Sequence, residues 1–263
     1  MAAIAHASDA LWRRVTDDQL SKNTYQYLWE YKMKKEIISL TLAVATLGLP
    51  CALSATTLDF RHEYADTTRI HKDRIAIIQS FANGIGFYVD ASVKSGGVNS
   101  EQDKFLSDLV TNAVEMGLSY NYQLNQNISL QPGIIFESGS DTAIYKPYLR
   151  AQYRFDNGLY LAGRYRYDYA RKTQDGSDDE KTNRLDGYIG YNFNSARVEY
   201  NYTQMYSDAL KYDNKKTNYE HNVAFSYRIN EMFTPYIEVG NVAVNKNSDA
   251  RQTRYRVGLQ YHF

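Results

Sequence analysis

Basic side chains recur in this sequence at even spacings inside alternating segments. Lys72 and Arg74, Arg164 and Arg166, and Arg254 and Arg256 each stand two apart, and Lys146, Arg150 and Arg154 stand four apart. Arg61 belongs to the same pattern. In an extended chain, residues of equal parity point to one side, and residues two apart lie roughly 7 Å from each other. Arg presents a planar pair of donors that matches a carboxylate. The chemistry of such a row is recognition of repeated carboxylates, not bond making. A hydrolase would need a nucleophile beside a histidine with an orienting partner. His62, His71, His221 and His262 are not near any recognisable nucleophile motif. There is no Cys/His cluster of metal-ligand spacing, no phosphate-binding glycine loop and no helical basic patch. The expectation is therefore a binder or channel, not an enzyme, with no metal, no cofactor and no nucleic-acid partner.

Strands must carry these side chains. In the last segment Tyr255, Val257, Leu259, Tyr261 and Phe263 share one face, while Arg254, Arg256, Gln260 and His262 share the other. A strand apolar on one side and charged on the other separates two media. Short turns are expected near Asn83-Gly84, 125–127, 156–158, 194–196 and 229–232. Longer polar loops are expected near 65–71, 95–108, 138–143, 172–182, 207–216 and 244–250. This alternation gives twelve strands with both termini at the short-turn end, the pattern of an outer-membrane barrel. The fold class expected is all-β, a twelve-stranded antiparallel transmembrane β-barrel, with lipid as the outer partner. From residue 56 on there are 22 tyrosines, a residue suited to strands and to membrane interfaces. Charge is nearly balanced there, 24 basic against 25 acidic, so net charge names no partner. A soluble sandwich or lipocalin-like barrel also alternates, with its apolar face turned inward.

Parity assigns Ile85, Phe87 and Val89, and likewise Ile128, Leu130, Pro132 and Ile134, to the outside. Pro147 and Pro235 also fall outside, where a missing N–H should disturb the ladder. The ten basic residues above fall inside, with Arg184 and Arg228, beside acids such as Asp59, Glu63, Asp90, Glu115, Glu137, Asp168, Asp186, Glu199, Glu220 and Glu238. A dry core does not hold so many charges. A turn centred on Asn157 sets Arg150 opposite Arg164, with Lys146, Arg154 and Arg166 on the same wall. Like charges directly opposite are destabilising, so an anion or carboxylates should lie between them. Barrel closure gathers Arg61, Lys72, Arg74, Arg254 and Arg256. In a ring of twelve, these two basic ladders face each other. The plainer reading is that arginines and acids pair and fill the lumen.

Residues 33–55 read as a secretory signal peptide: Met33-Lys34-Lys35-Glu36, an apolar run over 37–49, then Pro50-Cys51-Ala52-Leu53-Ser54-Ala55. Cleavage is expected after Ser54 or Ala55. Cys51 is the sole cysteine, so no disulfide is expected in the mature chain. Residues 1–32 fit as an upstream extension, and 56–263 as one porin domain.

Several blocks resemble the oligogalacturonate-specific porin family. They are Leu58-Asp59-Phe60-Arg61-His62-Glu63-Tyr64, His71-Lys72-Asp73-Arg74, Phe81-Ala82-Asn83-Gly84, Glu137-Ser138-Gly139-Ser140, Pro147-Tyr148-Leu149-Arg150, Glu238-Val239-Gly240-Asn241-Val242 and the run from Arg251 to Gly258. The resemblance implies a monomeric twelve-stranded outer-membrane channel of a Gram-negative bacterium that passes acidic oligosaccharides from pectin breakdown, or sialic acid as relatives do. It also implies that basic tracks on opposite walls set selectivity. Arg150, Arg164, Arg166, Arg254 and Arg256 carry it most firmly. Peptide mapping of the precursor tests the start: translation from Met33 yields no peptide from 1–32, and any such peptide overturns that assignment.

Overall fold

The computed structural model describes residues 54–97, 100–101, 103–174 and 176–263. The upstream extension 1–32 and the expected signal peptide as far as residue 53 lie outside these, and the last two residues of that signal peptide, Ser54 and Ala55, stand in the first strand. The described chain is built from β1 (Ser54–Ala65), β2 (His71–Phe81), β3 (Ile85–Ser95), β4 (Leu109–Tyr120), β5 (Tyr122–Gln123), β6 (Ile128–Ser138), β7 (Thr142–Arg154), β8 (Leu159–Lys172), β9 (Glu180–Asn192), β10 (Ala196–Ser207), β11 (Thr217–Tyr227), β12 (Phe233–Ala243) and β13 (Arg251–His262). Each stave pairs antiparallel with its sequence neighbours, and β1 pairs with β13 from Thr57↔His262 to Ala65↔Arg254, which closes the ring.

β4 and β5 form one stave, so the barrel has twelve. Ser119↔Gly133 and Tyr122↔Leu130 share one register, and the ladder opens between them, opposite Pro132. Proline has no N–H to give. The other two prolines among the described residues act alike. Pairing of β7 with β8 skips from Tyr145↔Tyr169 to Tyr148↔Arg166 around Pro147. Pairing of β11 with β12 ends at Ser226↔Tyr236, one residue short of Pro235.

The turns follow the expected alternation, with one correction. The connection placed at 138–143 is a tight hairpin: Gly139 N–H donates to the Thr142 carbonyl at 2.9 Å, and only 139–141 lie between the two strands. His71, expected in an external loop, opens β2. Two short turns share one chemistry. Asn83 and Asn157 accept from the N–H two residues on, at 3.1 and 3.0 Å. Gly84 and Gly158 follow at φ +90° and +94°. Their carbonyls accept from Asn121 and Asn192 of the next stave at 2.7 and 2.9 Å. A Cβ would lie 2.7 and 2.5 Å from the carbonyl oxygens of those asparagines.

Exposure decides which face is which. Phe60, Leu118 and Val257 are 46, 55 and 54% exposed, whereas Asp59 and Asp186 are 2 and 4% exposed. A soluble barrel would bury the first set and hydrate the second. This inside-out pattern suits lipid outside and a charged lumen. Aromatic pairs rim the short-turn end, among them Tyr153–Phe155, Tyr191–Phe193 and Tyr261–Phe263, at centroid distances of 4.7, 4.8 and 4.6 Å. Phe263 is tied in by its N–H, which donates to the Thr56 carbonyl at 2.9 Å. Gly158→Ala should destabilise the refolded barrel by more than ~1 kcal/mol, read as a lower urea midpoint. Gly176→Ala, also at positive φ but with open space around it, should cost less.

Candidate functional site: the charged lumen

Strand parity turns one residue in two inward, and pairing sets their order around the wall. The ring order places β7 and β8 six staves from β13 and β1. On the seam wall, Arg61 stands directly across from Arg74. Arg74 reaches Asp59 at 2.6 Å and Asp90 at 3.6 Å. Arg256 bridges Glu63 at 2.6 Å and Glu238 at 2.8 Å. Arg254 lies 3.4 Å from Glu238 and donates to Asn222 at 2.8 Å. Lys72 lies 3.3 Å from Glu63. Arg61 is different: among the described residues it has no carboxylate within ion-pair distance. It lines a cavity of about 320 Å³ together with Glu63, Arg74 and Asp90.

The opposite wall repeats this arrangement. Arg150 stands directly across from Arg164, as the turn centre at Asn157 requires. Arg164 and Arg184 share Asp186, at 2.9 and 2.8 Å, and Thr203 donates to the same carboxylate at 2.6 Å. Arg166 makes two parallel bonds to Asp168, at 2.7 and 2.8 Å. Arg150 has no carboxylate partner among the described residues and lies over the Tyr188 ring at 5.4 Å. Arg154, exposed near the short-turn end, also lacks one. Arg150 and Arg154 line a second cavity, of about 400 Å³.

Lys146 leaves the row of Arg150 and Arg154. Its ammonium lies 2.7 Å from Glu115 and also reaches Glu137. Asp90, Glu115 and Glu137 are successive cross-strand partners on β3, β4 and β6. Like charges so placed repel, and Lys146 with Arg74 holds them together. On the remaining wall, Glu199, Glu220 and Glu238 line the cavity between β9 and β13. The lumen thus alternates around its circumference: basic, acidic, basic, acidic.

One lumen cation is not apparent from sequence pattern. Arg197 faces the lumen, donates to Glu199 and to the Tyr160 hydroxyl at 2.5 and 2.7 Å, and sits 5.0 Å over the Tyr160 ring. It is the second residue of β10, just after a turn, where alternation is hard to read. The tyrosines also have a second role. Tyr88, Tyr148, Tyr160 and Tyr236 face inward, and each is the cross-strand partner of a glycine: Gly117, Gly133, Gly190 and Gly258. A Cβ at any of these glycines would overlap the ring. Each ring therefore lies flat on the wall, and Tyr148 offers its face to Arg164 at 5.8 Å. The signal is present in the sequence as Tyr and Gly at matched distances from a turn centre.

Comparison with known proteins gives one family. The family model described as "Oligogalacturonate-specific porin protein (KdgM)" matches residues 50–263. The chain is 38% identical over 232 residues to the oligogalacturonate-specific porin KdgM of Dickeya dadantii (strain 3937), covering 85% of this chain and 98% of that protein. It is 27% identical over 240 residues to the N-acetylneuraminic acid outer membrane channel protein NanC of Escherichia coli (strain K12), covering 87% and 99%. A solved KdgM porin structure superposes with a TM-score of 0.58 at 32% identity, covering 79% of this chain and 99% of that one.

The glycine niches make a prediction. Gly133→Ala should push Tyr148 off the wall and lower single-channel conductance in a planar bilayer. Gly187→Ala, where the added methyl meets open space, should leave conductance unchanged.

Proposed function

We propose that this chain, which belongs to the oligogalacturonate-specific porin family, is an outer-membrane channel through which acidic oligosaccharides diffuse passively, oligogalacturonates first among them. One observation carries the reading. On each of two opposite walls an arginine, Arg61 or Arg150, lacks a carboxylate among the described residues while standing across from an arginine that has one. The paired arginines hold the walls in shape. The unpaired ones are available to a carboxylate in transit.

Magnitudes favour passage over trapping. A charge pair at 4 Å is worth about 1 kcal/mol in bulk water and about 4 kcal/mol at an effective dielectric constant of 20. A wet lumen lies toward the lower figure, so each contact is brief. Conduction needs sites that attract and release in turn. Arg61 lies nearer the long-loop end of its strand and Arg150 nearer the short-turn end. The two sites are thus staggered along the pore, and a chain with one carboxylate per sugar can engage the second before leaving the first. The intervening acidic walls repel carboxylates and turn the substrate's charged groups toward the arginines.

Lys146, Arg154, Arg164, Arg166, Lys72, Arg74, Arg254 and Arg256 complete the two tracks in this reading, chiefly by setting the field around Arg61 and Arg150. The ring closes within one chain, so each chain encloses a complete lumen of its own, as a monomeric pore in this reading requires. A singly charged acidic sugar, such as the one in the name of the NanC relative, would use the same arginines one at a time.

The test is reversal potential under a salt gradient in a planar bilayer, followed by addition of trigalacturonate. The wild-type channel should prefer anions and show substrate-dependent block. Arg61→Gln with Arg150→Gln should move the reversal potential toward zero and weaken the block several-fold. Unchanged selectivity in the double variant would overturn the assignment. Block by sialic acid but not by trigalacturonate would select the smaller substrate.

A further inference from the structure

Outside the lumen, the barrel carries a small polar cluster where none is needed for the channel. His62 and Asp73 are cross-strand partners on the outward face, one pair above the lipid-facing Phe60 and Ile75. His62 Nδ1 lies 2.9 Å from Asp73 Oδ1, and His71 Nδ1 lies 3.2 Å from His62 Nε2. The two imidazoles stack at 5.3 Å. Phe105, from the long connection between β3 and β4, stands edge-on to His62 at 4.9 Å. Nearby, Asp103 accepts from the Tyr64 hydroxyl at 2.9 Å and pairs with Arg69 at 3.0 Å. Phe105 is 56% exposed, so its hold on the wall rests on few contacts.

Proton counting gives the cluster a property. With Asp73 ionised, His62 Nδ1–H donates to it, and His62 Nε2 accepts from His71 Nδ1–H. Both imidazoles are then neutral, and His71 Nε2 is a buried lone pair with no partner among the described residues. A third proton, if taken up by the imidazoles, has two routes. It adds to His71 Nε2 directly, or it adds to His62 Nε2 and forces His71 to carry its own proton on Nε2. Either way a buried N–H faces no acceptor, which is costly. A fourth proton sets two N–H groups against each other.

We propose that Asp73, His62 and His71 form a proton-operated clasp that holds residues 103–108 of the β3–β4 connection on the outer wall through Phe105 and releases them on acidification. The charged and titratable groups facing the clasp are Tyr64 on β1, Asp66 and Arg69 on the β1–β2 turn and Asp103 on the loop. The flanking strands offer Val257 of β13 beside His62 and Val93 of β3 beside Asp73. None of these supplies an acceptor to His71 Nε2. Phe105 and Asp103 reach outward when clasped.

The test is the mobility of a spin label at Lys104→Cys in a Cys51→Ser background, in the full-length protein reconstituted into vesicles. Lys104 is exposed and pairs with Glu101, outside the clasp. Spectra are compared at about pH 7.5 and about pH 5, spanning the range in which imidazoles titrate. The immobilised component should be lost at the acid pH. Phe105→Ala should lose it at both. The double variant His62→Gln, His71→Gln should give one spectrum at both pH values, held or free. An unchanged spectrum across pH in the parent, an immobilised label in Phe105→Ala, or an acid response retained by the double variant overturns the proposal.

Discussion

The backbone ladder between β1 and β13 is the interaction on which the rest depends. A barrel in lipid tolerates no open edge, because unpaired N–H and C=O groups in hydrocarbon cost several kcal/mol each. Here the ladder that removes the edge also assembles half the site. Arg254 and Arg256 come from the end of the chain, and Arg61, Glu63, Lys72 and Arg74 from its beginning. Glu63 and Arg256 face each other across the seam, and their ion pair has no counterpart until closure. Completing the fold and completing the basic wall are one event.

The lumen resolves a conflict between stability and transport. Two walls of bare arginines would repel themselves and bind polyanions too tightly. A lumen with every charge paired would be indifferent to its substrate. The structure lies between these: most arginines share carboxylates with neighbours, as Arg164 and Arg184 share Asp186, while Arg61 on one wall and Arg150 with Arg154 on the other are left over among the described residues. Because the pairs lie in a wet channel, their net worth is modest and falls with salt. What they secure is position, holding Arg74 and Arg164 still beside Arg61 and Arg150.

Much of this is legible in the amino-acid order. Turn chemistry at Asn83-Gly84 and Asn157-Gly158 sets the staves, and the turn centre at 157 puts Arg150 opposite Arg164. Parity separates Phe60 from Arg61, although it leaves inside and outside undecided until exposure fixes them. The limits are equally physical. Lys146 has the parity of Arg150, but its flexible stem carries the charge to Glu115 and Glu137 on other strands, and nothing local in sequence announces that. Which arginine remains unpaired depends on side-chain reach across three strands, so Arg61 looks no different from Arg74 in the sequence. Arg197 is hidden by its turn. Pro132 has the parity of an ordinary outward residue, yet it is what splits β4 from β5.

The tyrosine niches have a consequence for how such a pore can change. Strand number sets the calibre of a barrel coarsely, and altering it rebuilds every contact. Here four rings are recessed because the opposing residue lacks a side chain. One methyl group at Gly133 or Gly190 would tip one ring into the passage and leave the hydrogen-bonded frame alone. Calibre is thereby uncoupled from architecture. Descendants of one twelve-stave scaffold can be re-bored for longer, bulkier or smaller acidic sugars by single substitutions at a few wall positions.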